Sequence, residues 1–437
     1  MATQTFLPGF GIYDPASPVL HPISAARLPT NTTTRSHRIH RWFNFIAGFS
    51  PEFVNEQCAL ASLDSGSILL DPFAGCGTSL VVAAERNLRS IGYDPHPIFN
   101  RICRAKLPSP NAGEVLLRTR EILLRGFAHP VSPAELTDSQ TTFLEKLYPT
   151  DALASLLGAR DQLLASELAE DDLAFLMLSR IVDRCSHSQT DGIYKAPTSM
   201  KQSVSPEVAC SEVTKLILED LDSLNASDYQ RRGTVIRQSS RTMQQVPCDS
   251  VSIVVTSPPY LNNFDYAEMT RMLLYFWGIA TSWGDITSKV RADLIVNTTT
   301  ALKGQKTLQG HYRRNITKRI HRDLDGIVAS LGERRKQRKG KKEYDFLVYP
   351  YFSQMTEVLT EAFRVMKSGA PIHIVVADAA LYGVHISTPQ LLGTCMEEIG
   401  FRDVNCALMR ERGKRWTLAK REGSAIGLGE YHLSGAK

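Results

Sequence analysis

Residues 67–94 constrain the fold more than any other part of the chain. Ser67–Phe73 (SILLDPF) is a short apolar run that closes on an acid and a proline, the pattern of a buried strand. Gly75 and Gly77 follow at once, then Thr78–Asn87 (TSLVVAAERN), which reads as a helix. Arg89–Asp94 (RSIGYD) is a second strand and Ile98–Leu107 a second helix. Strand, glycine turn, helix, strand is a βαβ unit. Parallel strands need such a crossover, so the expected fold is α/β, a parallel sheet with helices on both faces.

The alternation stops near residue 110 and resumes at 233. Asp171–Cys185 places Leu173, Met177, Ile181 and Cys185 at helical spacing. Ser132-Pro133-Ala134-Glu135 and Ser205-Pro206-Glu207 read as helix N-termini, with a capping serine, a proline in the first turn and an acid behind it. The stretch is therefore expected to be an inserted helical subdomain whose apolar stripes pack on one another. Strands return at Gly233–Gln238, Ser250–Thr256 and Ala370–Asp378. Helices are expected over Tyr351–Met366 and Thr388–Ile399, the latter stopped by Gly400. Phe401–Arg410 and Tyr431–Ser434 suit a closing antiparallel pair, and Ser50-Pro51-Glu52 a helix start. The expected division is an arm over 1–35, an α/β domain over 36–107 and 233–437, a helical insertion over 108–232, and a further insertion over 279–349 within the α/β domain.

Charge separates the two insertions. Asp285–Asp345 carries 16 basic and 7 acidic residues, whereas Pro110–Tyr229 carries 10 basic and 19 acidic. The basic segment suits a polyanion contact or a solvated surface insertion equally well. No window approaches 18 uninterrupted apolar residues, so no membrane span is expected, and the N-terminus lacks the pattern of a secretory signal. Eight scattered cysteines without a CxxC pair speak against a disulfide framework or a Cys-rich zinc site, and for a reducing cytoplasm. The histidines show no metal-binding spacing, so no metal is expected.

Asp71-Pro72-Phe73-Ala74-Gly75-Cys76-Gly77-Thr78 sits between a strand and a helix. Glycines there let a backbone approach a ligand, and the helix start offers free amides. Asp94 follows 23 positions after Asp71, at the end of the next strand, where nucleotide folds hold ribose hydroxyls. No GxxxxGK[ST] phosphate loop is present. Asp71 would repel a pyrophosphate and suits a cationic ligand. Thr256-Ser257-Pro258-Pro259-Tyr260 directly follows another strand. Its two prolines stiffen the turn and remove amide donors. What remains is a set of carbonyls, a hydroxyl and an aromatic ring, which suits an exocyclic amino group on a flat base; a bare turn terminator is the plainer reading.

Together, DPFAGCGT and TSPPY resemble the S-adenosylmethionine-dependent amino-methyltransferases of DNA, which methylate N4 of cytosine or N6 of adenine. The resemblance covers roughly 36–107 and 233–433. It implies a Rossmann-like methyltransferase sheet forming the catalytic domain, S-adenosylmethionine as cofactor and double-stranded DNA as partner. Asp71, Phe73, Gly75 and Gly77, with Pro72, Ala74 and Thr78 beside them, would line the methionine part of the cofactor, and Asp94 would hold its ribose. Ser257, Pro258, Pro259 and Tyr260 would form the catalytic loop. Serine at its first position resembles the N4-cytosine branch, and N6-adenine methylation is the alternative within the class. RNA base methylation and a catalytically idle DNA-binding subunit are the others. The family's acid after the third strand is missing; Ser239, followed by Ser240, is the available acceptor for the adenine amino group. Arg41–Phe45 loosely resembles a cofactor-contacting motif, or it simply packs Trp42 and Phe45. Phosphate contacts are expected from Arg313, Arg314, Lys318, Arg319, Arg334, Arg335, Lys336 and Arg338. Target choice is expected to lie in the two insertions. The setting implied is restriction-modification or defence, with room for a separate cognate restriction endonuclease as partner.

Overall fold

The computed structural model describes residues 34–43, 48–191, 194–200, 202–224, 233–302, 304, 306–337, 342–412 and 428–437. Helix α1 (Pro51–Leu60) starts where the Ser50 hydroxyl accepts from the Phe53 amide (3.2 Å). The βαβ unit follows as β1 (Ile68–Asp71), α2 (Thr78–Glu85), β2 (Arg89–Tyr93) and α3 (Pro97–Ala105). After the helical insertion come β5 (Gly233–Ile236) and β6 (Ile253–Thr256). The chain then leaves the sheet and returns through α14 (Val348–Val365) to β7 (Pro371–Ala377), α15 (Thr388–Ile399), β10 (Arg402–Glu411) and β11 (Gly429–Ala436). A short hairpin of β8 (Ala379–Leu381) and β9 (Val384–Ile386) lies between β7 and α15.

The sheet has the order β10-β11-β7-β6-β1-β2-β5. Strands β5, β2, β1, β6 and β7 run parallel, and β11 is antiparallel to both β7 and β10. This is a Rossmann-like α/β sheet. Side chains of one strand alternate between two cores. Leu69, Ile253, Val255 and Val375 pack with Phe53 and Val54 of α1 on one face. Leu70, Val254, Ile372, Ile374 and Val376 pack with Met355, Val358 and Leu359 of α14 on the other. The chain runs outward from β1 through β2 to β5, then restarts at β6 on the opposite side of β1. The sheet therefore reverses its direction of growth between β1 and β6, and ligands bind at the carboxyl ends beside such a reversal.

The insertion between α3 and β5 holds α4 (Ala112–Phe127), α5 (Asp138–Leu144), α6 (Thr150–Leu164), α7 (Asp172–Cys185) and α8 (Pro206–Asp222). It is not purely helical, because β3 (Ser188–Asp191) and β4 (Tyr194–Met200) form an antiparallel hairpin inside it. Ser132 also departs from expectation. It caps only a single 3-10 turn, after which Leu136 turns extended, and α5 begins behind a capping box between Thr137 and Gln140.

The chain between β6 and α14 is folded on the sheet. It forms α9 (Tyr266–Met269), α10 (Arg271–Phe276), α11 (Trp283–Asp285), α12 (Gln309–Asn315) and α13 (His321–Gln337). Ile316, Ile320, Leu324 and Leu331 are buried in the same core as α14, so the basic segment is not a solvated appendage. Several of its cations are matched internally. Arg313 makes two bonds to Asp325 (2.7 and 2.6 Å), Arg319 pairs with Glu397 (2.8 Å), Arg335 with Asp345 (2.8 Å) and Lys336 with Glu333 (2.7 Å). Arg314, Lys318 and Arg334 are exposed, and Arg338 lies outside the described residues.

Candidate active site

The carboxyl ends of β1, β2 and β6, together with the chain after β5, open onto one cleft of about 950 Å³ measured out to its mouth. Gly75 from the turn after β1 and Ser257 and Pro259 from the turn after β6 line it together, with Asp94 at the end of β2 on the other side of β1. Phe73, Ala74, Thr78 and Ser239 line it as well.

The glycine turn is held by backbone geometry. Ala74 donates to the Tyr93 carbonyl (3.0 Å) and Gly77 to the Ala74 carbonyl (2.7 Å). Gly77 has φ +86°, and a Cβ there would lie 2.8 Å from the Cys103 sulfur, so a side chain is excluded twice over. Gly77 thus shapes the turn and caps α2 instead of lining the cleft; Pro72 is likewise absent from the lining.

The two acids play different parts. Asp71 is buried, accepting from the Phe73 amide (3.0 Å), from the Thr256 hydroxyl (2.6 Å) and from the Ser79 hydroxyl. It ties the end of β1 to the end of β6, and it does not line the cleft. The expectation that it faces a cationic ligand is therefore corrected: three internal donors already occupy its carboxylate. Burial pushes its pKa up to about 6 despite those bonds. Asp94 does line the cleft. It accepts from the Gly75 amide (2.9 Å) and the His96 amide (2.8 Å), and burial pushes its pKa up to about 7. Each of its oxygens takes one backbone donor, so each keeps acceptor capacity for a ligand.

The turn after β6 is similarly organised. The Ser257 hydroxyl donates to the Val375 carbonyl of the neighbouring strand (3.0 Å), leaving its lone pairs available. Pro258 is absent from the lining of the cleft and instead borders a small apolar void together with Val254, Met355 and Ile374. Tyr260 does not form part of the lining. Its hydroxyl donates to Glu430 of β11 (2.7 Å), which also accepts from Arg410 of β10 (2.6 Å). Burial first, then Glu430, hold the Tyr260 pKa well above the usual tyrosine range. Asn297 donates to the Tyr260 and Phe264 carbonyls (3.3 and 2.8 Å), while its own carbonyl accepts from the Asn262 amide (2.6 Å).

Phe43, from the segment expected to contact a cofactor, is part of the wall. The other wall residues were not singled out from sequence: Thr34, His40 and Phe49 come from the segment ahead of α1, Lys106 from just after α3, and Tyr266 and Asp293–Ile295 from the chain beyond β6. His96 is buried there too. Its Nδ1 accepts from the Ile98 amide (3.2 Å), so its Nε2 carries the hydrogen donated to Thr270 (2.9 Å). A histidine beside a Pro-initiated helix was the available signal for it.

Trp42 answers the question left open by Arg41–Phe45. Its ring is fully buried and its Nε1 donates to Asp220 of α8 (2.8 Å), so it packs and does not face the cleft; Phe43 does. Asn44 and Phe45 lie outside the described residues. Asp220 also accepts from the Ile39 amide (2.9 Å) and from Arg41 (2.6 Å). Asp220→Ala should lower unfolding stability by about 3–5 kcal/mol, because it strands buried donors and a charged partner. It should also loosen the wall that His40 and Phe43 build. Denaturant unfolding with an unchanged midpoint would refute this.

Among the described residues, no helix is long and apolar enough to cross a membrane. No family model matches the chain. Curated relatives do, along most of its length. Type II methyltransferase M.AvaI of Nostoc sp. (strain PCC 7120 / SAG 25.82 / UTEX 2576) is 24% identical over 424 residues, covering 90% of this chain and 85% of that protein. Type II methyltransferase M.BsoBI of Geobacillus stearothermophilus is 23% identical over 431 residues, covering 88% and 83%. Type II methyltransferase M.MvaI of Kocuria varians is 22% identical over 386 residues, covering 83% and 81%. A solved SAM-dependent methyltransferase from Archaeoglobus fulgidus covers 89% of this chain at 10% identity and a TM-score of 0.30, a likeness too slight to carry weight.

Proposed function

We propose that this chain is a site-specific DNA methyltransferase of a restriction-modification system, transferring a methyl group from S-adenosylmethionine to the N4 amino group of cytosine. One observation carries the reading: the glycine turn, Asp94, and Ser257 and Pro259 of the turn after β6 meet at one cleft. A binding-only protein would have no use for that convergence. Relatives that are Type II methyltransferases across most of the chain support it. The cleft suits the cofactor in its donor set: Asp94 offers acceptors for sugar hydroxyls, Ser239 and Ser240 offer hydroxyls for an adenine edge, and the glycine turn admits a close backbone approach.

When bound, the cofactor supplies a methyl group already activated by its sulfonium. The protein's task is then placement. Ser257 would accept one hydrogen of the amino group, and the Pro258 carbonyl the other. Both contacts would strengthen as positive charge develops on nitrogen, which lowers the barrier selectively. Tyr260 would stack on the base, tethered by Glu430. The amino group is paired inside a duplex, so the base would leave the helix first. Exposed Arg314 and Lys318 are the better phosphate contacts, since Arg313, Arg319, Arg335 and Lys336 already face carboxylates. A separate cognate restriction endonuclease fits this setting as a partner.

The test is mass spectrometry of nucleosides from duplex DNA incubated with the protein and methyl-labelled cofactor. N4-methylcytosine is the expected product. N6-methyladenine would overturn the base assignment, label in RNA alone the substrate, and no transfer to any nucleic acid the enzymatic reading.

A further inference from the structure

The floor of the cleft holds a charge that the described residues leave uncompensated. Lys106 follows α3 with only 4% of its surface exposed. Its Nζ donates to the His40 carbonyl (3.0 Å) and the Phe43 carbonyl (2.9 Å). An ammonium has three N–H groups, so one donor remains unmatched among the described residues. Burial lowers its pKa, and among the described residues the titratable groups coupled to it are the Cys76 and Cys103 thiols, Arg180 and His40, none of them a carboxylate. Residues 44–47 (NFIA), between Phe43 and Gly48, contain no acid either. His40 lines the same wall. It is 2% exposed, and its Nε2 has no hydrogen-bond partner among the described residues. A buried cation is costly unless an anion pairs with it, and a buried imidazole nitrogen is costly unless bonded.

We propose that Lys106 and His40 form a carboxylate subsite in the cleft, taking the amino-acid carboxylate of S-adenosylmethionine. The proposal rests on the cofactor reading above. Its location suits that end of the molecule. Cys76, the thiol beside Lys106, follows Gly75 in the glycine turn, and it feels both Lys106 and Asp94. Asp94 thus presents acceptors where sugar hydroxyls need them, and Lys106 presents a donor and a positive charge where a carboxylate does. Because the Lys106 ammonium also holds the His40 and Phe43 carbonyls, the ligand and the segment ahead of α1 share one cation.

Titration calorimetry on the full chain tests this with two ligands. S-adenosylhomocysteine carries the carboxylate; 5′-methylthioadenosine has the same nucleoside and thioether without the amino-acid group. Lys106→Gln keeps a donor for the backbone carbonyls and drops the charge. It should weaken S-adenosylhomocysteine at least tenfold and methylthioadenosine less than twofold. His40→Phe leaves Lys106 in place and should lower the ratio of the two affinities two- to fivefold, which keeps the test open if Lys106→Gln does not fold. Equal losses for both ligands would mean a purely structural lysine and would overturn the subsite, as would no loss for either. Weaker binding of duplex DNA with S-adenosylhomocysteine unaffected would also overturn it, assigning the charge to a phosphate. If the unmodified protein binds neither ligand, the cofactor reading itself fails.

Discussion

Replacing Asp94 with alanine is expected to weaken S-adenosylmethionine binding by about a hundredfold or more. Two hydrogen bonds to a carboxylate contribute about 1.5–3 kcal/mol each, and both are lost together. The turn loosens as well, because Asp94 holds the Gly75 and His96 amides. Asparagine is no conservative replacement here, since its amide nitrogen would face one of those backbone donors. The pH dependence gives a sharper signature. Burial pushes the Asp94 pKa up to about 7, with the backbone bonds opposing that shift and Asp71 adding to it. Ligand hydroxyls favour the ionised form. Affinity should therefore rise with pH up to about 7 and fall roughly tenfold per unit below it, and binding at pH 7 should release about half a proton. For the unliganded protein the sign is the opposite. The native chain keeps this proton up to about 7, while the unfolded chain loses it near 4, so this group's contribution to stability falls as pH rises through that window. Calorimetry in buffers of different ionisation enthalpy checks the proton release. A pH-independent affinity, or one that survives Asp94→Ala, removes Asp94 from the site.

What could be read in advance depended on the range of the interaction. Ser50-Pro51 and Ser205-Pro206 announce α1 and α8 because a cap is a contact over three residues. The βαβ unit is legible because glycine, helix and acid follow in one short stretch. Asp71 was misjudged because its three partners include Thr256, 185 positions away. Sequence shows an acid beside glycines; only the pairing of β1 with β6 shows that the acid is already engaged. Lys106 was invisible for a related reason. A lysine at a helix end is the ordinary complement of the helix dipole, and nothing local says that it turns inward onto two carbonyls from residues 40 and 43. The basic run was legible as charge and illegible as energy. Arg313, Arg319 and Arg335 count toward a polyanion site on paper, yet they face Asp325, Glu397 and Asp345 once α12, α13 and α15 are packed.

Tyr260→Ala should lower kcat/KM for methyl transfer by about a hundredfold or more, with cofactor affinity within about threefold of the unmodified protein. Stacking of a base on an aromatic ring contributes about 1–3 kcal/mol, which alone reaches that range at its upper end. The remainder comes from the loop. Tyr260 is tied to Glu430 on β11, a strand inserted between β7 and β10, so the ring's orientation depends on the far side of the sheet. Tyr260→Phe separates the two contributions. It retains the ring and removes the phenol, leaving Glu430 paired with Arg410, and should cost roughly tenfold. Glu430→Gln keeps an acceptor for the phenol while losing the charge that Arg410 complements, and its effect should match Tyr260→Phe within a few-fold. Both should act on kcat more than on cofactor binding, because Tyr260 belongs to the turn proposed to hold the base and Glu430 tethers it. Should Tyr260→Ala and Tyr260→Phe prove equally damaging, the phenol tether would be the whole role and stacking would contribute nothing. Should Tyr260→Ala retain full activity, the turn after β6 would have to be reassigned as a structural corner, and the site of transfer sought elsewhere along the cleft.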